Sequence, residues 1–306
     1  MREKKYTFVR KFIGKTYIME QKYTLRECLG TAMLGALQAG KEIMNIYDDP
    51  AQDFGIERKA DNSPLTLADK ASHKVIVGHL QPIGLPVLSE EGEMPAFEER
   101  SKWGRYWLID PLDGTKEFIK KNGEFTVNIA LMEEGKPIAG VVYLPAKDIA
   151  YAGVVGEGAL RIDKALELST GGVTGVEAIL ELMSKYGKQL PLQSAKHDGY
   201  VIVASRSHLS PETQAYIDEA EKKYDNVKCM SSGSSIKLCL VAEGAADAYP
   251  RYAPTMEWDT AAADAVVRAA GFMTYQAGSY DGIESENGMP LVYNKVDLHN
   301  PWFLVK

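Results

Sequence analysis

Apolar residues at Leu25, Cys28, Leu29, Ala32, Met33, Ala36 and Ile43 recur at intervals that predict an amphipathic helix over 24–47. Thr24 suits its N-cap, Glu27 three residues on completes a capping box, and Asp48-Asp49-Pro50 ends the run. A second helix is expected over 65–80, with Val75, Ile76 and Leu80 on its buried side. Residues 86–88 and 106–109 are short apolar runs that read as buried strands, each leading straight into an acidic cluster. Three more strands, 125–132, 137–143 and 149–155, read as a meander broken by Glu133-Glu134-Gly135 and Pro145.

Beyond the meander, 171–193 starts loop-like and turns helical near 176–188, which reads as an interdomain insert. From Tyr200 the period changes. Strands over 201–204, 227–230 and 246–249 alternate with helices over 211–223, 234–242 and 259–270. That alternation predicts an α/β second half after an α+β first half. The expected division is a leader over 1–23, an α+β domain over 24–165, an insert over 166–199 and an α/β domain over 200–306.

A chain of 306 residues accommodates one large or two modest domains, and its apolar runs stop at strand length. None approaches the roughly 20 residues of a membrane span. The net charge of −7, with no basic stripe, argues against nucleic acid polymers as partners. A small phosphorylated ligand remains allowed, because bound Mg²⁺ reverses the local sign. Cys28, Cys229 and Cys239 form no CxxC pair and stand among apolar neighbours, so all three read as reduced core thiols in a cytoplasmic protein. Residues 1–23 are rich in Lys and Arg and lack a secretory apolar stretch. They read as a disordered basic leader or as an extension upstream of a start at Met19, with peripheral contact to the inner membrane a weaker alternative.

The chemistry concentrates in Trp107-Leu-Ile-Asp110-Pro-Leu-Asp113-Gly-Thr115. Two carboxylates at the end of a buried strand need a cation to be buried together. Hard oxygen ligands of this kind suit Mg²⁺, and the Leu112 carbonyl offers a further oxygen. The N–H groups of Gly114 and Thr115 can receive a phosphate oxygen. Alone, the pair equally fits an N-cap aspartate beside a turn aspartate. Glu90-Glu91 could be a solvated turn, Asp259 in Trp258-Asp259-Thr-Ala-Ala a helix cap, and Asp69 a helix residue among apolar neighbours. Four acidic sites at the ends of elements are harder to read as surface decoration.

At these residues the chain resembles the lithium-sensitive phosphomonoesterase superfamily that includes inositol monophosphatase. The matching motifs are Glu90-Glu91, Asp110-Pro-Leu-Asp113-Gly-Thr115 and Trp258-Asp259-Thr-Ala-Ala, in the family's order. Over 24–305 it is similar to the bacterial 3'(2'),5'-bisphosphate nucleotidase branch, on Lys59 to Asp69, Asp110 to Ala130, Val203 to His208, Gly233 to Lys237, Leu240 to Gly244 and Tyr249-Pro-Arg251. The likeness weakens over 166–199 and is absent from the leader. Ala263 departs from the pattern, standing where many relatives have glycine.

The resemblance implies a layered α/β/α/β/α sandwich of the inositol monophosphatase type and two or three Mg²⁺ ions. It implies Glu90, Asp110 and the Leu112 carbonyl around one ion, and Asp110, Asp113 and Asp259 around another. Thr115, bonded to Asp69, would orient and help deprotonate the attacking water. Substrate contacts would come from Glu90, Asp113, Gly114, Thr115 and Asp259, with Ser205, Arg206, His208, Ser234, Lys237 and Arg251 on the nucleotide side. By residue type Lys237 and Arg251 suit a second phosphate. Their alternatives are a helix-surface lysine and a rim charge, and that of His208 is a helix-entry residue. His73, His79, His197 and His299 lack ligand spacing and read as structural. The expected reaction is Mg²⁺-dependent, lithium-inhibited hydrolysis of adenosine 3',5'-bisphosphate to AMP and phosphate in sulfur metabolism. The same chemistry on an inositol phosphate or sugar bisphosphate is the alternative, and a non-catalytic nucleotide sensor a remote one. Monomer and homodimer both stay open.

Overall fold

A computed structural model describes residues 7–12, 15–20, 22–50, 54–59, 64–169, 175–195, 197–205, 210–277 and 286–306. Within the stretch expected to be disordered, β1 (Thr7–Phe12) and β2 (Lys15–Glu20) pair as an antiparallel hairpin. The first helix, α1 (Leu25–Tyr47), has the anticipated capping box between Thr24 and Glu27. Next come β3 (Glu57–Arg58) and β4 (Pro64–Leu65), a short antiparallel pair. The second helix, α2 (Leu67–Leu80), starts two residues later than its periodicity predicts. The cause is Thr66, whose hydroxyl accepts the Ala68 and Asp69 N–H groups and so fixes the first turn.

A seven-stranded sheet follows, built from β5 (Val87–Ser89), β6 (Arg105–Asp113), β7 (Thr126–Glu133), β8 (Lys136–Leu144), β9 (Ile149–Val154), β10 (Gly158–Asp163) and β11 (Lys188–Gln189). Its order is β11-β10-β9-β8-β7-β6-β5, and only β5 and β6 run parallel. Short helices α3 (Phe97–Arg100) and α4 (Thr115–Ile119) flank β6. Trp107 and Ile109 of β6 pack with α1 and α2, while Tyr106 and Leu108 enter a second core. A strand buried on both faces reads as a continuous apolar run, which is what the sequence carries here. Beyond β10, α5 (Ala165–Ser169) and α6 (Val176–Tyr186) pack on α1, and β11 edges the sheet.

The remaining elements are β12 (Tyr200–Ser205), α7 (Pro211–Lys223), β13 (Val227–Ser232), α8 (Ile236–Ala242), β14 (Tyr249–Arg251), α9 (Glu257–Ala269), β15 (Thr274–Ala277), β16 (Glu286–Pro290) and β17 (Phe303–Val305). Strands β12 and β13 run parallel, and the order β14-β17-β15-β16 forms an antiparallel sheet. The strand expected over 246–249 lies further on, with Ala248 only bridging to Ile202. The layers are α1 and α2, the large sheet, α8 and α9, the smaller sheets, and α7 outermost against its own apolar cluster. This is the α/β/α/β/α sandwich.

Gly140 and Gly153 pair across β8 and β9, directly under α9. A Cβ on Gly140 would come within 2.3 Å of the Ala262 carbonyl, and one on Gly153 within 2.8 Å of the Ala269 methyl. The two glycines therefore let the helix lie against the sheet. Ala263 is buried within an unbroken α9, so its extra methyl is accommodated. Cys28 and Cys239 are buried as expected, but Cys229 is exposed because its stretch of β13 faces out of the core. No helix among the described residues is long and apolar enough to cross a membrane.

Candidate active site

Asp110 and Asp113 stand three apart on β6, a spacing that points side chains to opposite faces of a regular strand. Asp110 pairs with Asn128 and Asp113 with Thr126, so three steps on β6 oppose two on β7. This one-residue bulge, at Pro111-Leu112, turns both carboxylates the same way. Gly114, with φ of 95°, then turns the chain into α4. A Cβ there would sit 3.0 Å from the Glu124 carbonyl and in a left-handed conformation, so the turn requires glycine.

Asp259 reaches the same place from the first turn of α9. Carboxylate oxygens of Asp110, Asp113 and Asp259 lie within 4.8 Å of one another. Glu90, just past β5, is close enough to share a hydrogen bond with Asp110. One oxygen of each clustered aspartate is tied to a backbone N–H. Asp110 Oδ1 accepts Leu112 N at 3.1 Å, Asp113 Oδ2 accepts Ser235 N at 2.7 Å, and Asp259 Oδ2 accepts Met256 N at 2.9 Å. Ser235 Oγ lies 2.8 Å from Asp113 Oδ2 and 2.6 Å from the Asp259 carbonyl, and accepts from Asn128 Nδ2 at 2.8 Å.

Burial, followed by the charges of Glu90, Asp113 and Asp259, drives the Asp110 carboxyl well above its usual range. Asp259 is driven up likewise by burial and then by Asp113, against the bond from Met256. Asp113 is raised by burial despite the opposing Lys237 charge, and Glu90 by burial despite Lys59. Lys59 Nζ donates to Glu90 Oε1 at 2.7 Å and also bonds Glu91. A buried group of hard oxygens at such cost is the donor set a divalent cation satisfies, so these residues fit one. The lone-turn reading of Asp110 and Asp113 fails here. Asp259 both caps its helix and joins the cluster.

Asp69, at the third position of α2, divides its oxygens too. Oδ2 accepts Thr66 N at 2.7 Å, while Oδ1 accepts the Thr115 hydroxyl at 3.3 Å. Burial raises its pKa against the two Thr66 bonds. Thr115 Oγ1 is also 3.4 Å from the Leu112 carbonyl.

Beside the cluster lies a cavity of about 360 Å³ whose walls include Asp113, Ser234, Lys237, Arg251 and Asp259. Lys237 is 5% exposed, so the helix-surface reading does not hold. Its Nζ donates to the Ser234 carbonyl at 2.7 Å, and burial, opposed by Asp113 and reinforced by Arg251, lowers its pKa to about 8. Arg251 Nη2 donates to the Pro254 carbonyl at 3.2 Å, whereas its buried Nε has no hydrogen-bond partner among the described residues. Ser205 ends β12 opposite Ser232 of the cavity wall; its side chain, with Arg206 and His208, lies outside the described residues. The four other histidines bond locally: His73 to Ser89, His79 to Gln38, His197 near Asp247 and His299 to Asp297. Sequence reasoning assigned no role to Lys59, Ser235 or Asn128, although all three stand inside quoted motifs.

The inositol monophosphatase family model matches residues 24–300. The chain is 45% identical over 273 residues to the 3'(2'),5'-bisphosphate nucleotidase CysQ of Escherichia coli strain K12, covering 88% of this chain and 96% of that one. It is 30% identical over 301 residues to the Haemophilus influenzae protein of the same name, covering 92% and 94%. Among solved structures, CysQ from Bacteroides thetaiotaomicron superposes with a TM-score of 0.81 at 50% identity, covering 92% of this chain and 97% of that one.

Proposed function

The chain belongs to the inositol monophosphatase family, whose members are metal-dependent phosphatases, and we propose that it acts as a 3'(2'),5'-bisphosphate nucleotidase on adenosine 3',5'-bisphosphate. The products are AMP and phosphate, which places it in sulfur metabolism. One observation carries the substrate assignment. The cavity is acidic at Asp113 and Asp259 and basic at Lys237 and Arg251. A ligand with a single phosphate would engage the acidic side chains through their cation and leave the basic ones without a phosphate partner. A bisphosphate gives Lys237 and Arg251 a partner as well, with Ser205, Ser234, Arg206 and His208 on the nucleotide side.

Glu90, Asp110, Asp113, Asp259 and the Leu112 carbonyl would hold Mg²⁺, as two or three ions. Bound there, Mg²⁺ neutralises phosphoryl charge and lowers the pKa of an attacking water. The chain's own groups handle the proton. A water against Thr115 Oγ1 donates to it, Thr115 donates to Asp69 Oδ1, and burial suits Asp69 to accept. Gly114 lets the loop approach the phosphate closely. Residues 24–165 would supply Glu90, Asp110 and Asp113, and 200–306 Asp259 together with Lys237 and Arg251, with 166–199 the insert between them. The free cysteines suit the cytoplasm.

The test is phosphate release from adenosine 3',5'-bisphosphate, inositol 1-phosphate and fructose 1,6-bisphosphate, with and without Mg²⁺ and Li⁺. The nucleotide should be hydrolysed fastest, only with Mg²⁺, and Li⁺ should inhibit. Far faster turnover of the inositol phosphate would remove the assignment.

A further inference from the structure

Glu257, Thr260, Asp264 and Arg268 fall on one face of α9, and the first three are at most 1% exposed. Such a polar stripe inside a core needs partners, and the segment between β16 and β17 supplies them. Tyr293 donates its hydroxyl to Asp264 at 2.8 Å, and Arg268 pairs with Asp264 and donates to the Leu291 carbonyl. Glu257 accepts Asn294 N at 2.6 Å and Lys295 N at 3.1 Å, and its carboxylate also meets Lys295 Nζ. Arg100, 3% exposed, ties Asn294 from the other side.

The contacts continue toward Asp259. Glu257 N donates to the Leu298 carbonyl and Asn300 N to the Thr255 carbonyl, so the entry to α9 runs as a ladder along 298–300. Asn300 Nδ2 donates to the Met256 carbonyl at 2.7 Å, with Thr255 Oγ1 and Thr260 Oγ1 each 3.1 Å away. The Met256 carbonyl can only accept, so it fixes which end of the amide faces it. Met256 is the N-cap of α9 and makes no side-chain cap bond, unlike Thr24, Thr66 and Ser210. Its N–H is the group that holds Asp259 Oδ2.

We infer that Asn300 is a positioning residue, which through Met256 fixes the Asp259 carboxylate and so sets the affinity of the metal site. The inference rests on the metal-dependent reading above. Outer-shell partners of this kind typically change metal affinity about 10–100-fold.

Mn²⁺ binding to the full chain, followed by the electron paramagnetic resonance of the free ion, tests this without relying on turnover. Asn300→Ala should weaken Mn²⁺ binding about tenfold, and kcat should recover at high Mg²⁺. Asn300→Ser, which keeps a hydroxyl donor, should lie between it and wild type, and stands in if Asn300→Ala does not fold. Asp264→Asn, in the same stripe but further along α9, should lower the melting temperature and leave Mn²⁺ affinity unchanged. Wild-type affinity in both Asn300 variants, or equal weakening in Asp264→Asn, overturns the inference. Absence of Mn²⁺ binding by wild type overturns the metal-dependent reading itself.

Discussion

Asp69 gives one oxygen to the cap of α2 and the other to Thr115, so its two duties separate by substitution. Thr66→Ala removes a capping hydroxyl and should cost about 0.5–2 kcal/mol of stability while leaving kcat within a few-fold. Asp69→Asn keeps an acceptor for the cap but is not the base the proposed proton path needs. Its kcat should fall about 10²–10⁴-fold with little change in melting temperature. Equal loss of rate in both variants would refute the split. At this scale Asp69, Glu90, Asp110, Asp113 and Asp259 were expected as a set, because each lies within a few residues of a short apolar run and inside a motif of the family resemblance. Lys59, Ser235 and Asn128 were not, since they meet partners 31, 122 and 107 residues away. No local pattern marks such a meeting.

Elements with strong periodicity were read closely, and α1 and its capping box stand where the spacing placed them. Those that escaped notice are short. Strands β10, β15, β16 and β17 have three to six residues each, too few to establish a period. The bulge in β6 was hidden for another reason: Pro111 reads as a turn, yet the strand continues to Asp113. Close approach of elements is likewise invisible until both are placed. With Gly140 under the Ala262 carbonyl, Gly140→Val should overpack the interface and cost about 1–3 kcal/mol in urea unfolding. Unchanged stability would mean that α9 does not rest on the sheet there.

Across the whole molecule, burial raises the carboxyl groups of Glu90, Asp110, Asp113 and Asp259 together. Above the ordinary carboxylate range near pH 4, the ion-free folded chain therefore holds more protons than the unfolded one. Its stability falls as pH rises through that window. A divalent ion takes the place of those protons, adding about 2.7 kcal/mol at a hundred times its Kd. The difference in melting temperature between Mg²⁺-loaded and EDTA-treated protein should widen from pH 5 to pH 8, and a constant or shrinking difference would contradict the cluster's charge state. The layered fold was legible only through the family resemblance, because alternation of helix and strand does not say which faces meet. Acidic and basic side chains share the cavity beside the cluster, which has a further consequence. On the proposed function, a ligand with two phosphates would give one ester to the cation held by Asp113 and Asp259 and leave the other to Lys237 and Arg251, so docking would settle which ester is cut.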